Sequence, residues 1–271
     1  MHGFGLKVCC ALAGMLVLAG SVSAGSRETG FLNRAVTVGK ETYRYQVYVP
    51  ADWDRKQKWP VILFLHGAGE RGDDGLQQTD IGIGTAIRKY QNRFPAVIVM
   101  PQCRKDVWWL DPKMEEMAMR TLELSVKEFN GDPQRLYLTG LSMGGYGTWA
   151  VARNHPGKFA AYAVICGGVR IPDRLRSSAS GAALPDEGID LYALTAQKVG
   201  RTPVWIFHGD ADPVVPVEGS RKMNEALKAV GGDVRYTEYP GVKHDSWVKA
   251  YAEPELMKWL LAQKLDAAKK R

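Results

Sequence analysis

Apolar residues along this chain fall into short unbroken runs, separated by stretches in which they recur every three or four positions. The runs at 61–65, 96–100, 136–138 and 160–165 lack the alternation of a half-exposed strand, which predicts strands covered by helices on both faces. Residues 204–207 and 234–239 add two more strands. Upstream, Val36 and Val38 and then Tyr43, Tyr45, Val47 and Val49 alternate across Gly39-Lys40, the pattern of an antiparallel entry hairpin that Pro50 closes. Between the runs, Met114, Met117, Ala118, Thr121, Leu122, Ser125 and Phe129 recur at helical spacing. They lie behind Asp111 as N-cap and Pro112 at the first helical position, and the methionine stripe reads as core. Helices are also expected over 143–154, ended by Pro156, and over 221–230, ended by Gly231-Gly232, with Pro254 opening the last one. The stretch 169–201 is rich in Ser, Ala, Gly and Pro and is expected to be an excursion over the strand ends, where long loops are usually functional. Strands alternating with helices in this way predict an α/β fold with a mostly parallel central sheet and helices on both faces.

The N-terminus changes this picture in one respect. Lys7 precedes an apolar run over 8–19, and Val22-Ser23-Ala24 then offers small residues for cleavage, so residues 1–24 are expected to be a signal peptide and the product secreted or periplasmic. The run is shorter than the roughly 20 residues of a spanning helix, so no stable membrane insertion is expected. Cys9 and Cys10 stand at the start of the run rather than after it, which argues against lipidation. Residues 25–271 suit one large catalytic domain. The 36 basic and 29 acidic side chains give a net charge of +7. They are scattered, apart from Lys269-Lys270-Arg271, and this favours solubility rather than nucleic-acid binding. Cys103 and Cys166 remain after processing, and an oxidising destination would permit a bridge between them.

Candidate chemistry centres on Gly140-Leu141-Ser142-Met143-Gly144, which follows one strand and opens a helix, the context a nucleophile elbow requires. A serine hydroxyl is a weak nucleophile at neutral pH. It needs an imidazole to take its proton and a carboxylate to hold that imidazole, and in this chain order both should lie downstream. His244 alone among the five histidines sits in a loop after the final strand. His2 leaves with the leader, His155 reads as a cap at a helix end, and His66 and His208 precede glycines at strand ends, where backbone hydrogen bonds are expected. Asp210 and Asp212 share the turn after 204–207, and spacing does not separate them. The oxyanion of a tetrahedral intermediate would take the N–H of Met143 and a second from the loop His66-Gly67-Ala68-Gly69-Glu70-Arg71-Gly72, assigned to Ala68 with Gly67 as the alternative.

With these pieces in order, the chain resembles the α/β-hydrolase superfamily from the entry hairpin to the last helix. His66 to Gly72, Pro101-Gln102-Cys103 followed by Trp108-Trp109, Gly140 to Gly145, and Cys166-Gly167-Gly168 are similar to exported phospholipase/carboxylesterase proteins, some labelled predicted peptidases. Feruloyl esterases and dienelactone hydrolases are more distant. The resemblance implies a triad of Ser142, Asp212 and His244, with Asp212 matching the second Asp of a Gly-Asp-x-Asp-x-x-Val-Pro stretch at 209–216. It implies a serine carboxylic ester hydrolase that needs no cofactor or metal and acts on short-chain or aryl esters, small or polysaccharide-linked. Trp108 and Trp109 follow a strand end and are candidates for the substrate pocket, packing being the other reading. A serine peptidase of the prolyl-oligopeptidase kind is the alternative, disfavoured because such enzymes add a large domain. A binding protein that merely keeps the fold has no need of all three triad residues.

Overall fold

In the computed structural model, residues 28–176 and 188–265 are described together with Met1, so the expected signal peptide and part of 169–201 lie outside them. The hairpin forms as the alternation requires. β1 (Gly30–Val38) and β2 (Glu41–Val49) pair antiparallel with Val36 opposite Tyr43, and these side chains, with Val38, Tyr45, Val47 and Val49, are buried on one side. The apolar runs become β3 (Trp59–Leu65), β4 (Val97–Pro101), β5 (Gly131–Leu141), β6 (Ala161–Ile165), β7 (Val204–Gly209) and β8 (Val234–Tyr239). They join one eight-stranded sheet in the order β1-β2-β4-β3-β5-β6-β7-β8, in which β2 runs antiparallel to both neighbours and β3 to β8 are mutually parallel.

Unbroken apolar runs are what a sheet covered on both faces demands, because successive side chains point to opposite sides. Val61, Leu63 and Leu65 enter one core, while Ile62 and Phe64 of the same strand enter the other. The first core is covered by α2 (Pro112–Glu128), α3 (Met143–Asn154), α5 (Leu191–Val199) and α6 (Glu218–Ala229). The second is covered by α1 (Ile83–Lys89), α7 (Trp247–Ala252) and α8 (Pro254–Ala262). A single turn, α4 (Asp173–Arg176), follows β6. The methionine stripe is core, as Met114, Met117 and Met119 are all buried under α2. Asp111 caps this helix by accepting from the amides of Lys113 (2.8 Å) and Met114 (3.3 Å), with Pro112 at the first helical position. Asp111→Ala is therefore expected to cost about 1 kcal/mol and to lower Tm by roughly 2–4 °C in a calorimetric scan, with activity unchanged.

The excursion after β6 departs from expectation. Part of it is the helix α5, capped by Asp190, which accepts from the Tyr192 and Ala193 amides, with Leu191, Thr195, Ala196 and Val199 buried between α3 and α6. Among the described residues, Cys103 and Cys166 are both free, buried thiols, and no helix is long and apolar enough to cross a membrane.

Candidate active site

Ser142 stands alone between the end of β5 and the start of α3, with φ 51° and ψ −119°. A serine in that region is strained and persists only where its surroundings hold it. Its own amide donates to Ile165 O at 3.0 Å, and its carbonyl accepts from Gly145 (2.8 Å) and Tyr146 (3.1 Å). The flanking glycines make room: a Cβ on Gly140 would come within 2.3 Å of Gly144 O, and one on Gly144 within 1.9 Å of Leu65 O. The helix thus starts against the end of β3, and the hydroxyl projects from its N-terminus.

The other chemical groups arrive from the two strands beyond. Asp212 follows β7 and His244 follows β8, whose loop crosses so close over Gly209 that a Cβ there would meet Val242 O at 2.1 Å. His244 Nδ1 lies 2.7 Å from Asp212 Oδ2, and His244 Nε2 lies 3.0 Å from Ser142 Oγ. An ionised Asp212 accepts the Nδ1–H, which leaves Nε2 to accept from the serine hydroxyl. Burial of the Asp212 side chain, which has no solvent exposure, would raise its pKa. Hydrogen bonds from His208, His244, Val215 and Val214 outweigh that and hold it well below the ordinary carboxylate range. The two aspartates of the turn are separated by what they touch. Asp210 Oδ1 accepts from the Gly241 amide at 2.6 Å and so ties down the loop that carries His244, without contacting the ring.

The loop after β3 lies against the elbow: a Cβ on Gly67 would stand 3.8 Å from Ser142 Cβ. His66 fixes this loop. Its Nε2 accepts from Cys103 N at 2.9 Å, so Nδ1 carries the proton and donates to Gly67 O at 2.6 Å. Burial lowers its pKa to about 4, so the ring is neutral at physiological pH. Arg71 Nε donates to Ala68 O at 2.9 Å from the other side. The Gly67 amide lies against the Glu70 carboxylate, whose pKa burial raises. Ala68 opens the short 3₁₀ turn Ala68–Glu70 and Met143 opens α3, so neither amide has an intrahelical acceptor.

Three expectations change. Trp108 and Trp109 do not wall an open pocket, for both are buried in the core. Trp109 Nε1 donates to His66 O at 2.9 Å, its ring packs edge-on to the His66 imidazole, and Trp108 packs edge-on to Tyr146. A strand-end position brought them near the site, but their side chains turn inward, where Trp109 stiffens the loop from behind. His155 bonds Glu115 Oε1 at 2.8 Å rather than capping helix carbonyls. His208 reaches beyond the backbone to Asp212 and Ser220, contacts that no feature of its sequence neighbourhood announced. Cys166 stands beside the pair, its sulfur within 4.8 Å of ligand atoms of Asp212 and His244. Burial pushes its thiol up to about 12, so it packs there as a neutral group.

Comparison with known proteins agrees with this architecture. A thermostable esterase of known structure superposes with TM-score 0.71 and 32% identity over 86% of this chain and 63% of its own. An uncharacterized secreted protein of Arthroderma benhamiae is 24% identical over 241 residues, 80% of this chain and only 25% of the fungal one. The acylaminoacyl peptidase of Pyrococcus horikoshii, 18% identical with TM-score 0.66 over 88% of this chain and 42% of its own, shares the fold. The sequence profile of the Esterase family matches residues 37–250, a span that includes Ser142, Asp212 and His244, and on that match the chain belongs to the esterase family, built on the α/β-hydrolase fold.

Proposed function

We propose that this domain hydrolyses carboxylic esters through an acyl-enzyme. Ser142 acts as nucleophile, His244 as general base and acid, Asp212 as the carboxylate that orients the ring, and the amides of Met143 and Ala68 as oxyanion donors. The observation that carries the proposal is the unbroken chain from Ser142 Oγ through His244 to Asp212, with links of 3.0 and 2.7 Å. As Oγ attacks the ester carbonyl, its proton passes to His244 Nε2, and the imidazolium is steadied by the buried charge of Asp212. The tetrahedral oxyanion falls to the two free amides. His244 then returns the proton to the departing alcohol. Water repeats the cycle, attacking the acyl-serine and releasing the acid. The reading includes export through a signal peptide at residues 1–24, in keeping with the name of the fungal relative, and a small-molecule or polysaccharide-linked ester as substrate.

Peptide cleavage asks more of such a site. The amide nitrogen must be protonated as it leaves, and the peptide must be gripped on both sides of the bond. Of the 169–201 segment that would have to supply such a grip, the described helix α5 is spent on packing, since it buries Leu191, Thr195, Ala196 and Val199 against its neighbours. The purified protein, assayed on acetyl, butyryl, octanoyl and feruloyl esters beside matched anilides, is expected to favour the ester in kcat/KM by at least about 10³, or roughly 4 kcal/mol in the barrier. Comparable rates on matched ester and anilide, both abolished in Ser142→Ala, would replace the esterase reading with a peptidase.

A further inference from the structure

Asp212 serves two histidines. Its Oδ1 accepts from the amides of Val214 (2.7 Å) and Val215 (2.9 Å), while Oδ2 is shared between His244 Nδ1 at 2.7 Å and His208 Nε2 at 3.2 Å. His208 stands near the end of β7 and is fully buried. Its Nε2 faces a second acceptor, Val215 O, at 3.1 Å, and its Nδ1 faces Ser220 Oγ on α6 at 2.7 Å. A nitrogen between two acceptors must carry the proton, so the neutral ring is the Nε2–H tautomer, and Ser220 directs its one proton to Nδ1 at 2.7 Å in preference to Gly167 O at 3.4 Å. The charged groups around the ring are Asp212, Glu238 opposite it on β8, and Arg221 on α6. Arg221 Nε holds Glu238 Oε2 at 2.9 Å, and Tyr236 donates to the same carboxylate, so the hydrogen bonds of Glu238 go to Arg221 and Tyr236 while its charge still acts on His208.

We propose that His208 is a positioning residue for the ester hydrolysis described above. Its Nε2–H, oriented by Ser220, helps fix the Asp212 carboxylate and shares the charge on Oδ2 that would otherwise fall on His244 alone. This rests on Ser142, His244 and Asp212 being the catalytic groups. Two consequences follow. Losing the donor leaves Oδ2 held by His244 alone and loosens the carboxylate about its Val214 and Val215 bonds, which slows the chemical step without touching substrate binding. It also leaves more negative charge on Oδ2 for His244, which favours the imidazolium and moves the acid limb of kcat/KM to higher pH.

Glutamine and asparagine at position 208 separate positioning from packing. A glutamine amide nitrogen reaches where Nε2 stands, and an asparagine amide reaches only as far as Nδ1. His208→Gln is expected to stay within about threefold of wild type with its acid limb unmoved. His208→Asn should lose roughly 10- to 100-fold in kcat, the range for one lost charge-assisted hydrogen bond, with KM within about twofold and the acid limb raised by about half a unit or more. In the wild type, ¹⁵N NMR of the imidazoles should show His208 protonated at Nε2. Equal rates and equal acid limbs for the two variants, or an Nδ1–H tautomer in the wild type, would overturn the proposal. A dead Ser142→Ala enzyme alongside indistinguishable Gln and Asn variants removes only the role of His208. Activity surviving in Ser142→Ala removes the triad reading beneath it.

Discussion

Ser142→Ala is expected to lower kcat by about 10⁴ or more with the melting curve unchanged, because a triad works as a unit and only the oxyanion donors and binding contacts remain without its nucleophile. The fold should survive the change for a reason visible at the elbow. The strain at φ 51° belongs to the backbone, and alanine keeps the same Cβ in the same place. What is lost is one hydroxyl and its 3.0 Å bond to His244, while the bond from His244 to Asp212 stays intact. Steady-state kinetics on a short-chain ester, paired with circular dichroism, checks both halves. Full activity in a folded Ser142→Ala protein would end the assignment.

Asp212→Asn should cost about as much, roughly 10⁴ in kcat, and Asp210→Asn far less. Asp212 is held well below the ordinary carboxylate range, so its charge is in place at every pH where an imidazole is neutral, and asparagine removes that charge outright. An amide there can also donate toward Nδ1, which puts the imidazole proton on Nε2, facing the serine it should accept from. Asp210 makes a different bond: it accepts from the Gly241 amide, and the oxygen of an asparagine can still do so. Asp210→Asn is therefore expected to remain within about tenfold of wild type, the cost of weakening one hydrogen bond. The reverse order of effects would transfer the role to Asp210.

The same residues show what the sequence makes legible. Buried parallel strands announce themselves because both faces must be apolar, and residues 61–65, 96–100 and 160–165 correspond to β3, β4 and β6 within two residues at either end. β5 begins at Gly131, well before the apolar run, since Asp132, Pro133, Gln134 and Arg135 carry no apolar signal and pairing beside Trp59 extends the strand. Short helices escape for the same reason. α1 has seven residues and α7 six, too few turns for a period to stand out. In α5 the polar and glycine-rich composition of its surroundings hid a buried stripe of Leu191, Thr195, Ala196 and Val199. Ser142 and His244 stood out because each sits just past a strand in a constrained order along the chain, whereas Asp212 was separated from Asp210 only by the family resemblance. Direction within the loop was not legible, so the inward turn of Trp108 and Trp109 and the reach of His208 to Asp212 emerge only in three dimensions.

Hydrolysis through an acyl-enzyme requires Ser142 to form a covalent bond to substrate, and that bond can be trapped. The wild-type protein treated with a fluorophosphonate, digested and read by mass spectrometry should carry one phosphonyl group, on the peptide containing Ser142. The Ser142→Ala protein should carry none. A phosphonyl group on another residue, or equal labelling of the alanine variant, would rule out Ser142 as the nucleophile.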